Sequence, residues 1–216
     1  MAFVLTYDTL TQAVIDYLER DDRNLVHEIP LFIMLGERRV ARDLKILGLK
    51  VAITDTLKAG ESTFQKPTRW LNDASFNIGT NVGNAAGYNT RIFLQQRAYE
   101  WCRTYWPDPT QQGQPKYYAS DYNYNVWFVT PTPDQAYPYE ILYYQTPQFI
   151  DDHISSNFLT GSAPEVLLYA TLLETAVYLK DDERVAVWTD YYTKARQALG
   201  DEDRARIYDS YAKRGG

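Results

Sequence analysis

Apolar residues recur at helical spacing near both ends of the chain and lose that spacing in between. After Asp8 or Thr9 as N-cap, Leu10, Val14, Tyr17 and Leu18 fall at i, i+4, i+7 and i+8 while Gln12, Asp16 and Glu19 face away, predicting a short amphipathic helix that ends near the charged run 20–23. A second helix is expected to carry Pro30 in its first turn and a stripe of Ile33, Gly36, Val40, Leu44 and Leu47 until Gly48 stops it. Its other face holds Glu37, Arg38, Arg42 and Lys45 and reads as solvated or partner-facing. Toward the other end, Ser162, Pro164 and Glu165 supply a cap, a first-turn proline and an acid suited to the helix dipole, and Leu167, Leu168, Leu172, Leu173, Ala176 and Leu179 follow as a broad apolar face. Asp181, Asp182 and Glu183 open a fourth helix striped by Val185, Trp188, Tyr192, Ala195 and Leu199, with Gly200 as its stop. Neither hairpin can bury its apolar face alone, so the two are expected to meet as a four-helix bundle.

The middle reads differently. Leu49, Val51 and Ile53 alternate with Lys50, Ala52 and Thr54 in the period of a half-buried strand. Residues 72–89 are rich in Asn and Gly and read as a long turn-rich loop without phosphate-binding spacing. Three later blocks, Gln114–Ala119, Asn125–Pro133 and Tyr139–Tyr144, predict successive strands of an antiparallel meander. The expected fold is therefore α+β. An N-terminal helical hairpin (1–47), a β-rich insertion (48–161) containing the loop 72–89, a C-terminal hairpin completing the bundle (162–200) and an extended C-terminal arm (201–216) make it up.

Composition narrows the chemistry. The 216 residues carry a formal charge of −6, which opposes adhesion to nucleic acid through clustered Lys and Arg. Nineteen tyrosines dominate the aromatics, and their hydroxyls suit interfaces as well as cores. A single cysteine, Cys102, reads as a small buried hydrophobe, and with only His27 and His153 no metal-ligand spacing arises, so neither metal nor cofactor is expected. The first residues lack a basic, then apolar, leader pattern, and no run is long enough for a membrane span. The acid clusters 151–152, 181–183 and 201–203 read as caps or solvated charge rather than a glycosidase pair, and no GxSxG or P-loop occurs. The residues thus point to a non-catalytic protein whose aromatic strands serve either packing and subunit contact or sugar stacking.

The chain also resembles a family. The segments Thr6–Leu10, Tyr17–Arg20, Ile29–Ile33, Glu37–Arg39 and Arg42–Leu44, the middle blocks, Pro138–Tyr144, Asn157–Thr160 and Ala163–Glu174 look like the head-to-tail adaptors of tailed bacteriophages, also called portal adaptors or neck connectors. The resemblance runs through nearly the whole chain and is weakest at 72–89. It implies a virion protein of the neck, assembled in the host cytoplasm, whose copies form a ring of twelve beneath the portal protein. That ring would join the portal to a tail nozzle or tube protein, with a tail fibre as a further neighbour, and leave a channel through which DNA passes unbound. No catalytic residues come with the resemblance.

Three surfaces follow as expectations. Ile207, Tyr208, Tyr211, Lys213 and Arg214 in the C-terminal arm are the candidates for the portal. Arg38, Arg39 and Arg42 are assigned to one side of the subunit contact and Asp181, Asp182 and Glu183 to the other, since a ring repeats one heterologous interface. Tyr88, Tyr117, Tyr122 and Tyr124 are the candidates for a tail component. The alternatives are an aromatic binding module for glycan or tail fibre and a cell-wall-degrading enzyme.

Overall fold

The computed structural model describes residues 5–20, 22–80 and 90–212. The chain forms two compact units, a helical one drawn from the segments up to Leu49 and from Thr146 onward, and a β-rich one spanning Lys50–Gln145. Residues 146–161, grouped with the insertion by sequence, belong to the helical unit.

In the helical unit α1 (Tyr7–Leu18) is capped by Thr6, not by Asp8 or Thr9: the Thr6 side chain accepts from the Thr9 N–H at 3.3 Å while the Thr6 N–H donates to the Thr9 hydroxyl at 2.7 Å. Helix α2 spans Arg23–Asp43, so Pro30 lies in its interior. Leu25 and Ile29 extend the buried stripe backward from Ile33, and this tertiary burial outweighs the backbone hydrogen bond that a proline forfeits. After a 3-10 turn at Leu47–Leu49 the chain leaves for the β-rich unit. It returns through an irregular segment to α4 (Phe158–Ser162), α5 (Pro164–Leu179) and α6 (Asp182–Ala212).

The four-helix bundle of two hairpins is corrected, as is the extended arm, while the α+β class holds. Six helices and three sheets are present among the described residues. The physical reason lies in α5, whose Val166, Leu167, Ala170, Leu172, Leu173 and Ala176 are all buried, so that it is apolar around its circumference rather than along one stripe. Such a helix demands neighbours on every side, and α1, α2, α4 and α6 all pack on it. Gly36 permits the close approach of α2, since a Cβ there would lie 3.0 Å from the Thr171 hydroxyl and 3.1 Å from its backbone N. The buried hydroxyls of Thr171 and Thr175 are satisfied by donating to the Leu167 and Thr171 carbonyls at 2.9 and 2.8 Å.

The β-rich unit holds two four-stranded sheets. The first contains β1 (Lys50–Leu57), β3 (Trp70–Thr80), β4 (Thr90–Phe93) and β10 (Tyr137–Gln145) in the order β1-β10-β3-β4, entirely antiparallel. The second contains β2 (Thr63–Gln65), β5 (Gln95–Gln96), β7 (Tyr117–Asn123) and β8 (Val126–Thr130) in the order β2-β8-β7-β5. A small pair, β6 (Gln112–Gly113) and β9 (Thr132–Pro133), and the helix α3 (Tyr99–Tyr105) complete it. Phe76, Ile78, Tyr139 and Ile141 from the first sheet share one core with Tyr118, Trp127 and Val129 from the second.

Two expectations fail here. Residues 72–80, read as the start of a loop, form most of β3; residues 81–89 lie outside the described structure. Phe76 and Ile78 are buried opposite Ile141 and Tyr139 of β10, and this long-range pairing overrides the turn preference of the surrounding Asn and Gly residues. The meander also breaks, because of its three expected strands only β7 and β8 pair with each other, and β10 crosses to the other sheet between β1 and β3.

Candidate interaction surfaces

Helix α6 runs through Gly200 without interruption and carries Ile207, Tyr208 and Tyr211 of the residues assigned to the portal. Its distal part braces itself: Arg204 pairs with Asp201 at 2.8 Å and Arg206 with Glu202 at 2.5 Å, at helical i, i+3 and i, i+4 spacing. Asp203 reaches elsewhere in the helical unit, accepting from the Leu47 N–H at 3.2 Å. Ile207 is half-buried, whereas Tyr208 is 72% exposed and offers a ring and a hydroxyl to solvent. The side chain of Tyr211 and all of Lys213 and Arg214 fall outside the described residues.

Of the charges assigned to a subunit contact, Arg38, Arg39, Arg42 and Asp181 have partners within the chain. Arg39 on α2 binds Glu174 on α5, its Nη2 at 2.5 Å and Nε at 2.7 Å from the same carboxylate oxygen, which ties these helices together. The Arg38 guanidinium sits 5.7 Å from the centre of the Phe149 ring, and Arg42 Nε donates to the Arg38 carbonyl at 3.3 Å. Asp181 caps α6, accepting from the Arg184 N–H at 3.1 Å, and Asp182 and Glu183 are exposed in its first turn. The chain does not bring the arginines and these acids together through any ion pair among the described residues.

Of the tyrosines assigned to a tail component, Tyr88 lies outside the described residues. Tyr117 is half-buried against Trp101 and Tyr105 of α3, with ring centroids 4.7 and 5.1 Å away. Tyr122 packs at 4.7 Å on Tyr99, and Tyr124 is 74% exposed at the β7–β8 turn with its edge toward Trp70. Trp101 and Tyr105 stack with their planes 7° apart and stay partly exposed, so this end of the unit presents aromatic faces to solvent. Cys102, on the same helix, is buried, and burial pushes its thiol up to about 11.

Two buried charges escaped the sequence reading. Glu37, placed there on the charged face of α2, has no exposed surface. Its carboxylate accepts from the Asn157 side-chain amide at 2.5 Å and from the Ile150 N–H at 3.2 Å, pinning the returning segment 146–157 onto α2. Burial raises its pKa to about 7, against the lowering effect of those two hydrogen bonds. Its position four residues after Ile33 and beside Gly36, inside the apolar stripe, is the signal that marks it. Lys66, in the β-rich unit, donates to the Ser120 and Asn123 carbonyls at 2.7 and 3.2 Å and lies 3.8 Å from the centre of the Trp70 ring; burial lowers its pKa. Beside it Asp73 accepts from the indole N–H groups of Trp70 and Trp127 at 2.7 and 3.0 Å and from the Ser120 hydroxyl. No periodicity in the sequence marks that cluster.

Among the described residues no group of three or more His, Cys, Asp or Glu side chains is arranged to hold a metal ion, and no helix is long and apolar enough to cross a membrane. The surfaces described above expose aromatic rings and charged side chains. They belong to a phage adaptor: the model of the SU10 adaptor protein family matches residues 5–214, and the chain is a member of that family. Comparison with curated proteins finds no match.

Proposed function

We propose that the protein is a non-enzymatic structural component of the virion neck, a head-to-tail adaptor whose copies form a ring, twelve in number, between the portal and a nozzle or tube protein of the tail. The observation that carries this reading is the adaptor-family match through both units, from residue 5 to residue 214. In this role α6 is the arm toward the portal, since its distal half is held helical by its own ion pairs and leaves Tyr208 exposed for a partner. The aromatic surface around Tyr117, Tyr122 and Tyr124 faces the next tail component. A charge of −6 on every copy, repeated around a ring, opposes adhesion of the passing genome.

Mixing the purified chain with the portal protein of the same virus and imaging the product is the test. A ring of density on the portal's tail-facing end is expected, and deletion of residues 201–216 should abolish it while the rest of the chain stays folded. A chain that never joins the portal, or whose truncated form joins undiminished, overturns the ring or the arm respectively.

A further inference from the structure

The antiparallel sheet β1-β10-β3-β4 has two ends, and they match each other. With four strands alternating in direction, β1 and β4 run oppositely, so a copy placed beside another sets β4 against β1 in antiparallel sense. The register is already aligned across the sheet. Thr54 pairs with Glu140, Glu140 with Asn77 and Asn77 with Phe93, forming one cross-strand row that begins on β1 and ends on β4.

Among the described residues neither edge strand carries a proline or a bulge; β4 is four residues long and bears Arg91, and β1 bears Lys50 and Asp55. The eight residues of β1 stay in unbroken register with β10, with no bulge and no proline, and Ala52, Thr54, Asp55 and Thr56 are exposed. The Thr56 N–H turns to the side-chain carboxylate of Asp55 at 2.8 Å, which places the N–H groups of Ala52, Thr54 and Thr56 on the side away from β10. Beside this edge a groove of about 550 Å³ is bordered by Ile53, Phe64 and Tyr139 and by the charged Asp55, Lys58 and Glu61. At the opposite end, β4 exposes Phe93 to 65%, while Ile92 lies on the core-facing side of the sheet, opposite Ile78.

We propose that β4 of one copy adds to the open edge of β1 in a neighbouring copy, laying Ile92 toward the groove and Phe93 across the Thr54 face, so that the sheets join into a continuous belt. This rests on the ring reading given above and names its contact. The occupant is a second copy because both halves of the contact lie on one chain, run in compatible directions and differ from each other, which is the heterologous arrangement that closes into a ring. Four residues of ladder make a weak joint singly, so the belt depends on repetition around the ring and on its template.

Cysteine pairing in the full chain tests the contact, with portal present. Phe93→Cys is combined in turn with Ala52→Cys, Thr54→Cys and Thr56→Cys, three positions that share one face; the native Cys102 is buried. One of the pairs is expected to give disulfide-linked ladders extending beyond dimers. Phe93→Asp and Ala52→Pro, the latter removing an outward N–H without touching the β1–β10 ladder, should each lower ring yield by about tenfold or more, a change equal to about 1.4 kcal/mol. Their monomers should keep wild-type circular dichroism and melting. If the wild-type chain forms no ring on the portal, the ring reading fails and takes this contact with it. If rings form but none of the pairs cross-links, or both variants assemble like wild type, or cross-linking stops at dimers, the contact is overturned and the ring stands.

Discussion

Glu37 shows how much one side chain can decide. A carboxylate with no exposed surface is stable only with donors, and here Asn157 and the Ile150 N–H supply them, making the acid a clasp for the segment between residues 146 and 157. Its folded-state pKa of about 7 stands above the ordinary 4.5, so the folded protein holds this proton more tightly than the unfolded chain does. The associated stabilisation is fully present below about pH 4.5 and is lost as pH rises through about 7. Relative to Glu37→Gln, which keeps an acceptor and cannot ionise, the wild type should lose roughly 3 kcal/mol across that window and nothing further above it. Denaturant melts of both proteins at closely spaced pH values measure the difference, and a pH-independent gap would refute the clasp's titration. The charged type of residue 37 and its place in the apolar stripe are plain in the sequence; the donors that let it be buried are not, because they lie on a segment more than a hundred positions away.

At the scale of elements, helix boundaries separate local from long-range control. The Pro164 start and the acidic opening of α6 were legible because a first-turn proline and the helix dipole act within one turn, whereas Ser162, read as the cap of α5, ends α4 instead. Gly200 was misread as a stop, since glycine ends helices only when the chain must turn, and here Leu199 is buried while ion pairs carry the helix onward. A Cβ at Gly200 would meet only the end of the Arg204 side chain, at 3.9 Å. Gly200→Ala should therefore stabilise the protein by about 0.5–1 kcal/mol, the ordinary gain for a helix interior. Destabilisation in thermal melts would mean that α6 bends or ends at this position. Strand β3 teaches the converse, for its Asn and Gly residues favour turns alone and a strand once β10 lies alongside.

For the whole molecule, the insertion begins and ends on neighbouring strands. Lys50 and Tyr144 are directly paired, which holds the two ends of the β-rich unit about 5 Å apart. Replacing residues 50–145 with a short Gly/Ser link should leave a helical protein that melts cooperatively, because α5 keeps its partners α1, α2, α4 and α6. Calorimetry and near-ultraviolet circular dichroism check this, and a species with helical signal but no cooperative transition would show that the helical unit needs its insertion to pack. The α+β class, the helical ends, the strand-like blocks and the adaptor resemblance were determined by the sequence itself, because hydrophobic period, capping chemistry and family pattern can be read along the chain. Tertiary structure alone decided that α5 is surrounded, that 72–80 enters a sheet, that Arg39 is held by Glu174 and that Asn157 and the Ile150 N–H cover Glu37. Each of those outcomes depends on which distant segment supplies the neighbouring surface, and no local pattern carries that information.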